Sequence, residues 1–591
     1  MIRITGAMSE NKRLKVSTSI FDKKYPFKKK ITISRNNMFQ LFIYSKKKIK
    51  YSDYIFENDD VFIFSFDNNF IEKLNKNKNK NLKKLFFNDV SSSIYLEKKK
   101  DLYLKRSIFS ANTIYFTRNK NNYFFSSEIK ILLLNNKKKF TICKKILANF
   151  LCRNYRLVFG RGYTFFNNIY EIKTACFIKI SSKISKQKQY WLPSLKNKFS
   201  TKPFNEFRKS IENAISQQLS KYKKPIFLVS GGLDSTLIAS FAKKITKKKV
   251  NTISAIFKKS KKFDESFYIK KLNSKIANKS YYIDMSDKFF VRWLERKEKN
   301  FDQPLLSPVY LLMNYILFFI EKKKYDSVFG GGGGDILSMG TYEYQPYIFA
   351  DYLKISKKKY DKEILKWNIK QKKLIRYWPT DNLKMQNLIR KLTGKNGKIY
   401  HNPDWVKSNS SVLNLKFFKK KDLTFVPNIK YKFPSYIQSR IADEIFSQAM
   451  PTHFIEELNM SEYKLSGSDP FLDKDLIEKC FNLKLKHITS NGYAKVLFRK
   501  SSKGILPNIV RLRKERTGLS IPIDDWFVKG PLNKYFKKLL KNSSNKKILN
   551  IGFVKKILLE HEKKINDNSW LLWRLISFMI WKKNYNGHIK N

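Results

Sequence analysis

The sequence predicts two domains of different class: an α+β, two-layer domain over residues 1–195 and an α/β domain with a parallel sheet over residues 203–591. Three observations carry this. The chain has 591 residues, more than one hydrophobic core accommodates. In its first third, short β-rich runs alternate with polar turns. Later, apolar runs of strand length are each followed by a helical pattern, the order that produces parallel βαβ units.

Composition narrows the class. With 42% hydrophobic and 15% aromatic residues the chain can bury large cores and is not a disordered polymer. Its formal charge of +73, from 121 basic against 48 acidic residues, invites a nucleic-acid reading. The lysines, however, are scattered in short runs (46–48, 98–100, 357–359) among Asn, Ile, Phe and Tyr, with no single basic face and no nucleic-acid-binding signature. This pattern reads as drift toward AT-rich codons on a solvated surface. No specific nucleic-acid partner is expected, only non-specific adhesion to polyanions. Cys143, Cys152, Cys176 and Cys480 form no CxxC pair, and the five histidines form no HExxH, so neither a disulfide framework nor a zinc site is expected. No stretch has signal-peptide form. The apolar run 309–320 is interrupted by Asn314 and 570–581 carries Arg574, so no membrane span and a cytoplasmic location are expected.

In chain order, strands are predicted at 41–44, 61–66, 93–96, 101–104, 114–116 and 123–126, followed by helices at 127–134 and 144–152. A polar linker (194–202) and an amphipathic helix (204–219) lead to the most informative stretch, 225–236. There Ile226 to Val229 reads as a buried strand, Gly231 and Gly232 as a turn, and Leu237, Ile238 and Phe241 as the apolar face of a helix. Glycines at such a turn let a ligand approach the main chain, and free N–H groups with the helix dipole attract phosphate. Ser230, Ser235 and Thr236 add hydroxyls, and Asp234 offers the hard oxygen that a phosphate-bound Mg²⁺ needs. The Lys of a Walker A loop is absent, which disfavours a kinase or GTPase.

A second strand is predicted at 249–257, with Asp264 and Glu265 in the first turn of the following helix. After Phe301-Asp302-Gln303-Pro304 and a helix at 309–320, the strand 327–329 runs into Gly330-Gly331-Gly332-Gly333-Gly334-Asp335. Five glycines there are costly unless backbone must approach something closely. Residues 341–440 read as Tyr- and Lys-rich helices, with Tyr342, Glu343 and Tyr344 just behind the glycine run. Asp469-Pro470-Phe471-Leu472-Asp473 then introduces a helix at 476–483.

The string Ser-Gly-Gly-Leu-Asp-Ser at 230–235 resembles the pyrophosphate loop of the N-type ATP pyrophosphatases. Further motifs narrow this to the asparagine synthetase superfamily. The stretches 102–116 (with Arg106), 123–130, and 164–176 closing on Tyr190-Trp191 resemble its N-terminal glutaminase-like domain. Pro470-Phe471-Leu472-Asp473, the 492–499 stretch with Lys495, and Leu506-Pro507 through Arg513, Arg516, Gly518, Pro522 and Trp526 resemble its synthetase domain. The resemblance implies an Ntn-type sandwich followed by a HUP-like parallel-sheet domain, with ATP and Mg²⁺ as cofactors. Residue by residue, it implies nucleotide contacts at Ser230, Gly231, Gly232, Asp234, Ser235, Ala255 (facing adenine), Gly330 and Gly331. It also implies Asp234 and Asp335 as the Mg²⁺ ligands, and Lys495 as the catalytic cation that neutralises phosphate charge.

Two departures shape the expected function. The family's glutaminase uses an N-terminal Cys whose α-amine serves as base; here Ile2 follows Met1 and the first cysteine is Cys143, so a degenerate glutaminase-like domain is expected, kept for folding, dimerisation or substrate binding. In the second glycine loop, Gly332 and Ile336 stand where the synthetases carry acidic residues. These features are closest in character to lasso-peptide cyclases and β-lactam synthetases. The resemblance therefore implies adenylation of a small-molecule or peptide carboxylate and capture by an amine of the same molecule, in natural-product biosynthesis, with a precursor peptide and its leader protease as partners. An ammonia-using asparagine synthetase and a non-catalytic ATP-binding scaffold are the alternatives.

Overall fold

The computed structural model describes residues 2–9, 29–35, 38–45, 50–77, 81–88, 92–97, 101–109, 112–119, 122–134, 140–152, 162–181, 184–298, 303–305, 307–371, 382–393, 409–424, 431–448, 462–463, 465–513 and 521–585. The expected Asp302, Arg516 and Gly518 lie outside these residues.

The N-terminal part is a sandwich of two antiparallel sheets. In chain order its strands are β1 (Ile2–Ser9), β2 (Lys29–Arg35), β3 (Phe39–Ser45), β4 (Ile55–Glu57), β5 (Val61–Ser65), β6 (Ser93–Glu97), β7 (Leu102–Lys105), β8 (Tyr115–Asn119), β9 (Asn122–Ser126), β10 (Tyr170–Glu171), β11 (Cys176–Ile180) and β12 (Lys188–Gln189). One sheet has the order β10-β8-β9-β1-β3-β2 and the other β12-β11-β7-β6-β5-β4. Alternate residues of both sheets, among them Ile4, Leu41, Ile43, Phe62, Phe64, Leu104 and Phe125, meet in one buried layer, as facing sheets require. Arg106 and Glu171 form an ion pair across this sandwich in full burial. The strand at Ile2–Ser9 was not legible in the pattern because Arg3, Thr5 and Ser9 are buried polar residues; Arg3 is neutralised by Glu128 at 2.7 Å.

The second part is built on a parallel sheet of β13 (Pro225–Leu228), β14 (Val250–Ile256), β15 (Ala277–Asp284), β16 (Ser327–Phe329) and β17 (Ser466–Ser468), in the order β15-β14-β13-β16-β17. The chain starts in the middle, builds outward through β14 and β15, then returns to the other side of β13. The order therefore reverses between β13 and β16. In such sheets the crevice beyond the carboxyl ends of the strands at that reversal is where ligands bind. Pro225 opens its strand, where a missing N–H costs little.

Helices cover the sheet. Pro203–Leu219 buries Phe207, Ile211, Ala214 and Ile215, one apolar stripe at helical spacing. Val309–Lys322 is apolar nearly all round and is correspondingly enclosed. One correction concerns the helix after β14. It begins at Ser266, so Asp264 and Glu265 precede it and do not occupy its first turn. Asp264 instead accepts from the N–H groups of Phe257 and Ser266. The two parts pack together through the helix Ser569–Tyr585, whose Trp581 meets Phe165 and Phe166 with ring centres 5.5 and 5.3 Å apart. The Trp191 indole N–H also donates to Glu478 at 2.9 Å. Among the described residues no helix is long and apolar enough to cross a membrane.

Candidate active site

Two glycine turns leave the neighbouring strands β13 and β16 and press against each other. The first, Ser230-Gly231-Gly232, feeds the helix Leu233–Thr246. Gly231 sits at φ +73°, a region that costs other residues steric strain. The hydroxyls of Ser230 and Ser235 lie 3.0 Å apart, and the Ser230 N–H donates to Ser235 Oγ at 3.1 Å. No side chain caps the N-terminus of that helix, so its first N–H groups are left for a ligand and its dipole favours an anion there.

The second turn, Gly330 to Gly334, feeds the short helix Gly334–Ser338. Its glycines are required by contact. A Cβ on Gly331 would lie 2.6 Å from the Ser235 nitrogen, and one on Gly334 would lie 2.8 Å from Asp234 Cγ. Gly333 has φ +79° and faces the Leu472 side chain. Where Gly331 and Gly334 meet Asp234 and Ser235 there is therefore room for backbone alone. Of the family's acidic positions, Gly332 has no side chain and Ile336 is buried; neither presents a charge.

Lys495 closes the site from a distant part of the chain. Its Nζ donates to Asp234 Oδ1 and Oδ2 at 2.7 and 2.5 Å and to Asp335 Oδ1 at 2.6 Å. Its side chain is 5% exposed, those of Asp234 and Asp335 13% and 42%. An ammonium removed from water this far needs such partners. Lys495 itself occupies the left-handed region (φ 56°, ψ 40°) between the strand Tyr493–Ala494 and the helix Val496–Ser501. A non-glycine residue there stores about 1–3 kcal/mol of strain, a conformation that aims the side chain back across the sheet ends. Gly340 makes room: a Cβ on it would lie 2.8 Å from the Lys495 nitrogen. Nothing in the sequence pattern had singled out Gly340, since an isolated glycine near a turn has many uses.

Most of the expected site residues thus converge. Lys495 bonds Asp234 and Asp335, Gly331 abuts Ser235 and Asp234, Ser230 bonds Ser235, Gly231 and Gly232 complete the first turn, and Gly330 begins the second, where a Cβ would lie 3.2 Å from Asp469 Oδ1. Ala255 stands half-buried near the carboxyl end of β14, beside the first turn and not in it. Behind the second turn Tyr344 is buried, and burial raises its hydroxyl well above the usual range, with the Glu444 charge adding to the effect. It is a packing residue and a neutral one.

Two carboxylates that share one ammonium are close enough to share another cation. They suit Mg²⁺, which takes one or two protein carboxylates and keeps its remaining ligands for phosphate and water. The four cysteines are buried and unbridged, and burial raises the thiols of Cys143 and Cys480, so neither of these two is an activated nucleophile.

Comparison with known proteins agrees with this layout. Residues 206–583 match the asparagine synthase family and residues 84–191 the glutamine amidotransferase domain. Asparagine synthetase [glutamine-hydrolyzing] 1 of Bacillus subtilis (strain 168) is 31% identical over 112 residues, 19% of this chain and 17% of that protein. A putative asparagine synthetase [glutamine-hydrolyzing] of Mycobacterium bovis is 26% identical over 119 residues, 20% of this chain and 18% of that one. The aligned stretch thus spans less than a fifth of either relative. Among solved structures, glutamine phosphoribosylpyrophosphate amidotransferase from B. subtilis, complexed with ADP and GMP, aligns over 47% of this chain and 74% of its own at 8% identity and a TM-score of 0.19.

Proposed function

The chain belongs to the asparagine synthase family, and from that premise we propose that it is an ATP-dependent amide ligase that forms AMP and pyrophosphate. The observation that carries the reading is the Lys495 ammonium held between Asp234 and Asp335 where the two glycine turns meet. A scaffold protein would have no use for a buried cation and a left-handed lysine maintained at this cost.

In the proposed reaction a substrate carboxylate oxygen attacks the α-phosphorus of ATP, and the bond to the β-phosphate oxygen breaks to release pyrophosphate. An amine then attacks the acyl carbon, AMP leaves, and the amine gives up a proton. The turns at Ser230–Gly232 and Gly330–Gly334 supply N–H donors and hold the phosphates in place. Lys495 offsets negative charge that accumulates on the departing groups. Asp234 and Asp335 would hold Mg²⁺, whose charge favours departure of pyrophosphate. Ala255 would line the adenine end.

For the acyl acceptor we favour an amine of the same molecule, as in a lasso-peptide macrocyclase of natural-product biosynthesis, with a precursor peptide and its leader protease as partners. What supports this is the second turn, where Gly332 and the buried Ile336 present no carboxylate to handle a small charged acceptor, together with the burial of all four cysteine thiols, which keeps them from a glutamine amide. The resemblance to asparagine synthetases favours a second reading, an asparagine synthetase that uses free ammonia. Incubation with ATP, Mg²⁺, aspartate and ammonia distinguishes the two. The favoured reading expects no asparagine above background; stoichiometric AMP and asparagine would overturn it.

A further inference from the structure

We propose that Arg513 is a phosphate ligand of the nucleotide site; this rests on the reading above and adds a residue to it. Arg513 follows the helix Asn508–Arg511 and folds back onto the first glycine turn. Its Nη1 donates to the Gly231 carbonyl at 3.2 Å and its Nη2 to Glu265 Oε1 at 2.7 Å. Its guanidinium carbon lies 3.7 Å from the centre of the Tyr268 ring. The Arg513 and Glu265 side chains are each 9% exposed. Two hydrogen bonds and a stacked ring fix the plane of the guanidinium before any ligand arrives, which is how arginine becomes a geometric recognition group.

Two features of this cluster point to an anion. First, Arg513 Nε is buried and has no hydrogen-bond partner, and a buried donor left unpaired is costly unless something that binds there completes it. Second, Glu265 abuts the turn itself: a Cβ on Gly231 would lie 3.5 Å from Glu265 Oε2. A carboxylate at that distance repels a polyphosphate seated on the Ser230–Gly232 backbone. Arg513 cancels that charge and still has a donor to give. In a phosphate-binding turn with a built-in carboxylate, an arginine tied to both is the group that restores attraction, and Nε is the atom left to make the contact.

The test separates a ligand from a mere counter-charge. Full-length protein and the variants R513Q, E265Q and R513Q/E265Q are titrated calorimetrically with inorganic pyrophosphate and Mg²⁺ in moderate salt. R513Q is expected to bind about tenfold or more weakly, the scale of one charge-assisted hydrogen bond. E265Q is expected to bind as tightly as the unaltered protein or more so. The double variant carries neither charge and keeps the local balance, so it guards against a folding defect; it is expected to stay about tenfold weak. Recovery of full affinity in the double variant would overturn the proposal, because Arg513 would then only balance Glu265. Unchanged affinity in R513Q would overturn it too. Failure of the unaltered protein to bind pyrophosphate would bring down the nucleotide-site reading and this inference together.

Discussion

Replacing Lys495 with Met keeps an unbranched apolar side chain but removes the charge that Asp234 and Asp335 share. Their nearest oxygens each lie within 2.7 Å of one nitrogen, so they are at most about 5 Å apart. Two like charges at that separation repel by about 3 kcal/mol at an effective dielectric constant of 20. Asp335 is 42% exposed, and solvent screening brings the expected destabilisation of K495M down to about 1–2 kcal/mol. The vacated position between the carboxylates then becomes a divalent-cation site. At 10 mM Mg²⁺ and a dissociation constant of about 1 mM, mass action returns about 1.4 kcal/mol, a rise in Tm of about 2 °C for a domain of this size. The assay is thermal unfolding at constant ionic strength with and without MgCl₂. K495M should melt below the unaltered protein and recover with Mg²⁺. The unaltered protein and K495M/D335N should both be insensitive to it. A K495M variant indifferent to Mg²⁺, or an unaltered protein equally responsive to it without nucleotide, would refute the shared-cation geometry.

Other consequences follow from single contacts. G331A pushes a methyl group against the Ser235 backbone nitrogen and should cost about 1–3 kcal/mol and abolish pyrophosphate binding. G504A, at φ +82° with open space around it, should cost about 1 kcal/mol and leave binding intact; calorimetry checks both. E171Q strands the buried Arg106 guanidinium and should lower stability by about 3–5 kcal/mol in denaturant titration. Burial raises the Asp287 carboxyl to about 6, against a hydrogen bond from the Leu532 N–H that lowers it. The folded state therefore holds this proton more tightly than the unfolded chain, and the stability it contributes is complete below pH about 4 and lost as pH rises through about 6. D287N should remove that slope from stability measured between pH 4 and 7. Finally, a thiol reagent should label none of the four cysteines in the native protein and all four after denaturation, since all are buried.

The elements legible in the sequence were those with a one-sided signal. Apolar runs bounded by glycine gave the strands Pro225–Leu228 and Ser327–Phe329, and helical spacing gave Pro203–Leu219 and Lys144–Cys152. What stayed hidden had mixed faces. In the edge strand Ala277–Asp284 the adjacent Asn278 and Lys279 are both exposed and only Ile283 is buried, so it carries no in-out alternation to detect. The strand Ser466–Ser468, three small residues long, pairs with Ser327–Phe329 and has no propensity signal at all. At the site, the two glycine turns and both aspartates were legible because several residue types with one chemical purpose stood together. The long-range closures were not. Arg513 on Gly231, Gly340 under Lys495 and Glu265 beside the first turn are fixed by packing between segments as many as 282 residues apart, and no local pattern records such distances.

The structure of the protein with Mg²⁺ and a non-hydrolysable ATP analogue tests the shared phosphate cradle most directly. The expected result is one metal ion bonded to carboxylate oxygens of both Asp234 and Asp335, with the β- and γ-phosphates on the Ser230–Gly232 backbone and Lys495 Nζ turned from the carboxylates to phosphate oxygen. A nucleotide bound elsewhere, or a metal held by one aspartate while Lys495 stays on the other, would contradict it.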